Sequence, residues 1–134
     1  MTGPAIACAI LAGGRSSRME GGNKVFMPLA GRPLIQHVID RIGPQVEVLA
    51  LSVESWLAEL EVFGLMQLPD PAPGHHGPLC GLLAALRYSH VSQEWLLIVP
   101  CDAPLLPTDL AGTLQARATA AAAPSAAVFY AGEL

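Results

Sequence analysis

The stretch Ala9–Lys24, AILAGGRSSRMEGGNK, constrains this chain more than any other. An apolar run from Ala5 to Ala12 breaks abruptly at Gly13-Gly14, and Arg15, Arg18, a second glycine pair and Lys24 follow. Glycines at a strand end let the backbone turn sharply and bring its N–H groups close to an anion with no Cβ in the way. Arginine adds a fork that grips oxygens in pairs, and lysine adds a compact point charge. Lys24 is the only lysine in the chain. The spacing therefore predicts a strand feeding a phosphate loop, of a kind that is neither GxxxxGK[ST] nor GxGxxG. Glycines alone are equally consistent with a plain strand-to-helix turn carrying solvated arginines.

The rest of the chain repeats the same grammar. Leu34, Ile35, Val38, Ile39 and Ile42 recur at helical spacing after Gly31-Arg32-Pro33, and Gly43-Pro44 stops them. Val46–Val53 reads as a second strand. Ser55–Phe63 reads as a helix with Trp56, Leu57, Leu60 and Phe63 on one stripe and Gly64 as its stop. A short apolar piece, Leu65–Leu68, leads into Pro69-Asp70 and the irregular PAPGHHG, where His75 and His76 read as exposed loop residues. A third helix is expected from Pro78, with Leu79, Leu82, Leu83 and Leu86 as its stripe. Trp95–Val99 is the most apolar strand and ends at Pro100-Cys101-Asp102. Thr108 is placed to cap a fourth helix running from about Asp109 towards Ala121, and Ala126–Tyr130 starts another strand. Trp56 and Trp95 read as core, and His37 as lying on the polar flank of the first helix.

Alternation of this kind predicts an open α/β sheet, mostly parallel and wound with right-handed crossovers. The 134 residues make one domain, and a composition 52% hydrophobic and only 13% charged suits a sheet buried on both faces. A net charge of −4 argues against nucleic acid as a partner. The first apolar run is too short to span a membrane. Cys8, Cys80 and Cys101 match no zinc spacing, and with no secretory leader in view they read as reduced thiols of a cytoplasmic protein.

Ligands of open α/β sheets lie at the carboxyl ends of the strands. Three such ends carry chemistry: Gly13-Gly14 after the first strand, Asp70 after the short one and Asp102 after the last. Beside a triphosphate, Asp102 makes sense as a ligand of Mg²⁺, which is held by one or two carboxylates plus phosphate oxygens and water. Its alternative is a loop-start carboxylate that accepts backbone N–H bonds. Asp70 is placed either to hydrogen-bond a guanine edge or a ribose, or to shape the proline-rich loop.

LAGGRSSRMEGGNK, Asp70 followed downstream by GPLCGL, and VPCDAPLLPTDL together resemble the molybdenum cofactor guanylyltransferase family of the nucleotidyltransferase superfamily, from Ala5 to about Leu114. The resemblance implies a three-layer α/β/α Rossmann-like nucleotidyltransferase fold. The reaction it implies joins GTP and Mo-molybdopterin into the guanine dinucleotide form of the cofactor, releasing pyrophosphate, with Mg²⁺. It also implies roles: Leu11, Ala12 and Gly13, with Gly14 beside them, meet the guanine or ribose through backbone. Lys24 meets phosphate alongside Arg18, Ser52 falls in the nucleotide pocket where the family often has Asn, Asp70 contacts the nucleoside and Asp102 holds magnesium. Other proteins of cofactor assembly are the implied macromolecular partners. No covalent nucleophile is expected, because such catalysis is positioning and charge neutralisation.

Two departures stand in the loop. Where the family usually reads RMGG-x-DK, Glu20 replaces the first glycine and Asn23 the aspartate before the lysine, and each is expected to weaken turnover. The family also continues for several tens of residues past the point matching Leu134, so a shortened chain without the acceptor-binding part is expected. Two other readings stay open. One is a cytidylyl or sugar-phosphate transferase, disfavoured by LAGG where cytidylyl relatives commonly have LAAG; the other is a domain that binds nucleotide without turnover.

Overall fold

A computed structural model describes residues 6–12, 26–69 and 95–123, together with the backbone of 18–19 and 22–23. The expected helix after Pro78, the expected strand from Ala126, His75, His76 and Cys80 lie outside these residues.

The first strand, β1 (Ile6–Leu11), is a continuous apolar run, as a parallel strand covered on both faces must be. Beyond it, β2 (Arg18–Met19) pairs antiparallel with β3 (Gly22–Asn23), so the glycine-rich segment carries a small ladder that puts Arg18 opposite Asn23. A second hairpin joins β4 (Pro28–Leu29) to β5 (Arg32–Pro33). Its two-residue turn puts Ala30 at φ 53° and Gly31 at φ 80°, the pairing of positive angles that suits the twist of a hairpin. Glycine takes this conformation at no cost, whereas alanine does so at about 1 kcal/mol or more. Ala30→Asn is therefore expected to raise stability by about 1 kcal/mol, seen as a higher urea midpoint at unchanged slope.

Helix α1 (Leu34–Ile42) follows directly, with Pro33 supplying a preset φ just before its first turn. It buries Ile35, Val38 and Ile42 and turns its polar side to the hairpin. There Arg32 pairs with Asp40, Gln36 donates to Asp40 (2.9 Å), and half-buried His37 donates from Nε2 to the Leu29 carbonyl (2.6 Å). The Arg32 hydrogen bond, with help from Gln36, holds the Asp40 carboxyl below its usual range. Its contribution to stability is thus present at neutral pH and fades as acid protonates Asp40, and solvent screening keeps it small.

A 3₁₀ turn, Gly43–Gln45, leads to β6 (Val48–Val53). The segment read as an α-helix from Ser55 is instead a 3₁₀ helix, Ala58–Phe63, and Trp56 is not core but 54% exposed. At three residues per turn, Leu57, Leu60 and Phe63 share one row and Trp56 falls off it. Gln67 fixes this register: its side-chain amide accepts from the Leu57 N–H and donates to the Leu57 carbonyl, both at 2.8 Å. Gly64 ends the turn at φ 68°, as its position predicts. Phe63 stacks on Phe26 with ring centroids 6.2 Å apart.

β7 (Met66–Pro69), β8 (Trp95–Pro100) and α2 (Leu110–Ala120) complete the described elements. The main sheet has the order β7-β6-β1-β8 with every pair parallel, and helices flank it. Alternation divides its residues between two faces. Ile6, Cys8 and Ile10, Leu51 and Val53, and Leu97 and Val99 join Ile35, Val38 and Ile42 of α1, Leu110 and Ala111 of α2, and Leu60 in one core. Ala7, Ala9, Ala50 and Ser52 point the other way and are equally closed to solvent, so both faces of the sheet are covered.

Burial also governs Cys8, whose thiol is pushed up to about 12. Because the thiolate is the reactive form, Cys8 is expected to resist iodoacetamide at about pH 8 until the protein is unfolded. Mass spectrometry of the alkylated chain, with and without urea, checks this.

Candidate functional site at the carboxyl edge of the sheet

The chain runs from β1 to β6 and β7 on one side, then returns to β8 on the other. The strand order therefore reverses at β1, which is where open α/β sheets leave a crevice for ligands. The register puts the ends level: Leu11 pairs with Ser52 on one side and Pro100 on the other, and Ser52 pairs with Leu68. One further bond, from the Ala12 N–H to the Ser52 carbonyl (2.8 Å), carries the ladder past the end of β1. β1 thus ends in the middle of the edge, between β6 and β8.

Leu11 is half buried on the same face as Ser52, and Ala12 turns into the helix-side core at 3% exposure. Ser52 is the only buried polar side chain among the described residues, and none of their buried side-chain polar atoms lacks a partner. Asp102 follows β8, one strand from β1, and is exposed between buried Cys101 and half-buried Ala103. Neighbouring strands lie about 4.8 Å apart, so β7, which leads to Asp70, ends about 10 Å from β1. The structure therefore brings Leu11, Ala12, Ser52 and the start of the Asp102 loop to one short line. Gly13, Gly14, Lys24, Asp70 and the Arg18 side chain lie outside the described residues.

Among the described residues no three or more His, Cys, Asp or Glu side chains cluster as a metal cage. An exposed carboxylate has the hard oxygen chemistry that magnesium takes when substrate phosphates and water supply the remaining ligands. Asp102 fits that role and would not suffice for a self-contained structural metal.

Two residues with no local signal in the sequence, Gln45 and Arg41, tie the end of α1 to the start of α2 and the segment before it. The expected Thr108 cap is not made: α2 starts after Asp109 with no side-chain cap from its own sequence. Gln45 does the work from across the fold, accepting the Ala111 N–H through Oε1 (2.9 Å) and donating from Nε2 to the carbonyls of Pro107 (2.9 Å) and Arg41 (2.8 Å). Arg41 adds a bond from Nη1 to the Leu106 carbonyl (3.2 Å). A cap supplied 66 positions away in sequence leaves no local signal.

Proteins named molybdenum cofactor guanylyltransferase are similar to this chain. The one from Yersinia pestis (strain Pestoides F) is 45% identical over 111 residues, covering 83% of this chain and 56% of the relative. Those from Rhodopseudomonas palustris (strain BisB5) and Shewanella halifaxensis are 44% and 40% identical, over 85% and 86% of this chain and 56% of each relative. The chain thus spans about half the length of the curated relatives it matches. A solved CMP:2-keto-3-deoxy-manno-octonic acid synthetase complexed with CTP shares the fold. It has a TM-score of 0.63 at 19% identity and matches 89% of this chain and 48% of its own. The family model for the MobA-like NTP transferase domain matches residues 8–134, and this chain belongs to that family.

Proposed function

We propose that this chain forms the nucleotide-binding part of an enzyme that transfers GMP from GTP to Mo-molybdopterin, giving the guanine dinucleotide cofactor and pyrophosphate. The observation that carries the reading is the switch-point edge, where the strand leading to Gly13-Gly14 lies between the ends of β6 and β8. Relatives that share 40–45% of their aligned residues with this chain and bear that activity in their names support the choice of substrates.

In this reading the Ala12 N–H is already used by Ser52, so a backbone contact from Ala12 to the nucleoside is made through its carbonyl. Leu11, Gly13, Gly14 and Ser52 complete the nucleoside wall, and Asp70 is the further contact to the nucleoside. Arg18 and Lys24 draw charge from the triphosphate, the fork by paired hydrogen bonds and the ammonium as a point charge. Asp102 would hold the magnesium ion, which supplies neutralisation of the charge developing on the departing pyrophosphate. The protein's contribution is alignment, and it provides no nucleophile of its own.

Reduced, buried Cys8 and Cys101 support a cytoplasmic location. Among the described residues no helix is long and apolar enough to cross a membrane. Macromolecular partners, in this reading, are other proteins of molybdenum cofactor assembly.

Calorimetric titration with GTP, and in parallel with CTP, each with and without Mg²⁺, tests the proposal. Magnesium-enhanced binding that prefers GTP is the expected result. A preference for CTP would move the chain to the cytidylyl transferases, and binding of neither nucleotide would sink the reading.

A further inference from the structure

We propose that Trp56 is the stacking surface on which the purine base of the nucleotide rests. The inference rests on the GTP reaction proposed for this chain.

Trp56 is 54% exposed, and among the described residues it is the only exposed aromatic side chain. Aromatic side chains carry some of the largest apolar surfaces a fold can bury, so a tryptophan left in water contributes little of its surface to the core. Its neighbour Leu57 has an extended backbone, is half buried and packs on the core, so the two side chains divide between water and protein.

The ring sits in the exit loop of β6. Three residues separate Trp56 from Val53, which puts its Cα at most about 11 Å from the carboxyl end of that strand. The loop is fixed at its far end too, because the N–H and carbonyl of Leu57 both bond the Gln67 side chain of β7. It therefore starts on β6 and finishes against β7, with little length in between for Trp56 to leave the edge.

This is the part of the edge that the GTP reading gives to the nucleoside. Ser52, one residue before the end of β6, is paired with Leu11 of β1. On the other side Val53 is paired with Pro69, the residue before Asp70. The exit loop begins level with both. A purine presents a flat face to its surroundings, and the indole is the one large apolar surface that this loop leaves open to it. Such stacking adds affinity without selecting among bases, since every base has a π-face, and leaves the choice of guanine to groups at the edge of the ring.

The test uses the full chain with Mg²⁺, well below each variant's unfolding temperature, and compares GTP with inorganic tripolyphosphate, which has the phosphates and no base. Trp56→Ala is expected to weaken GTP binding by about five- to 150-fold, the cost of removing one aromatic ring from under a base. Its affinity for tripolyphosphate should stay at the wild-type value. Trp56→Phe, which keeps a flat ring, should retain most of the GTP affinity. In the wild-type chain GTP, but not tripolyphosphate, should shield the exposed tryptophan from quenching by acrylamide, with half-buried Trp95 as the background.

Unchanged GTP affinity in Trp56→Ala, an equal loss for GTP and tripolyphosphate, or a loss in Trp56→Phe as large as that in Trp56→Ala would overturn the inference while leaving the proposed function standing. A parallel titration with neopterin, whose fused ring is equally flat, separates the base from the acceptor: a loss confined to neopterin would overturn the assignment to the base. If the wild-type chain binds no GTP, the proposed function and the stacking role fall together.

Discussion

Asp102→Asn is expected to leave the chain folded and to abolish the magnesium dependence of GTP binding. The side chain is exposed, and exposed substitutions of equal size ordinarily change stability by less than about 0.5 kcal/mol. Its charge is another matter. Two unit charges 4 Å apart interact by about 1 kcal/mol in water and about 4 kcal/mol at the effective dielectric near a protein surface. Between those limits, losing the carboxylate costs about tenfold or more in metal-linked affinity. Without metal the same change removes a negative charge that repels phosphate, so metal-free GTP affinity should rise. Opposite movements of the two affinities separate a lost ligand from a damaged pocket, and a variant that keeps the wild-type dependence would take Asp102 out of the metal's coordination.

The largest effect on stability is expected from Ile10→Ala. Ile10 is 0% exposed on the central strand of the sheet and faces the layer formed by Ile35, Val38 and Ile42. Removing three carbons from such a site costs their transfer free energy plus that of the cavity left behind, about 4 kcal/mol here. Domains of this size are stable by only about 5–15 kcal/mol, so the variant should sit near the edge of folding at body temperature. Ile10→Val, which deletes a single methyl, should cost about 1 kcal/mol. Urea titrations of both variants give the comparison, and equal losses would mean that the site collapses around the smaller side chain.

The parts of this fold that are legible in the sequence are those governed by local pattern. β1, β6 and β8 lie within a residue or two of the apolar runs Ala5–Ala12, Val46–Val53 and Trp95–Val99, because a parallel strand covered on both faces leaves just such a run. Helix α1 carries its buried stripe at Ile35, Val38 and Ile42, the spacing that marks a helix. What stays hidden depends on distant partners. Whether Trp56 faces inward was decided by Gln67, which bonds both backbone groups of extended Leu57, so that a tighter helix starts only at Ala58, three residues after Ser55. Thr108 lost the capping role to Gln45 for the same kind of reason.

At the site, the order of the chain puts Gly13-Gly14, Asp70 and Asp102 after the strands that become β1, β7 and β8. Their lateral order was not foretold: only the sheet reveals that the end of β8, before Asp102, is next to β1 while the end of β7, before Asp70, is two strands away. The short antiparallel pairing of Arg18–Met19 with Gly22–Asn23 was equally invisible, since two-residue strands leave no periodicity to read.

The central position of β1 also sets the order in which the molecule can assemble. Ala7 pairs with Val48 on one side and with Leu96 on the other, so the second pairing closes a loop about twice as long as the first. Doubling a loop costs only about 0.6 kcal/mol, too little to matter at equilibrium. In time it matters more, because synthesis at about 5–20 residues per second delivers the β8 segment seconds after β1 and β6 can meet. Until then the edge of β1 that will border the crevice has no neighbour, and a nascent chain bearing β1 and β6 has half a binding edge. The crevice beside β1 can thus form only once β8 has been made, and under the proposed function GTP should act after that point, as a ligand that consolidates folding rather than one that starts it.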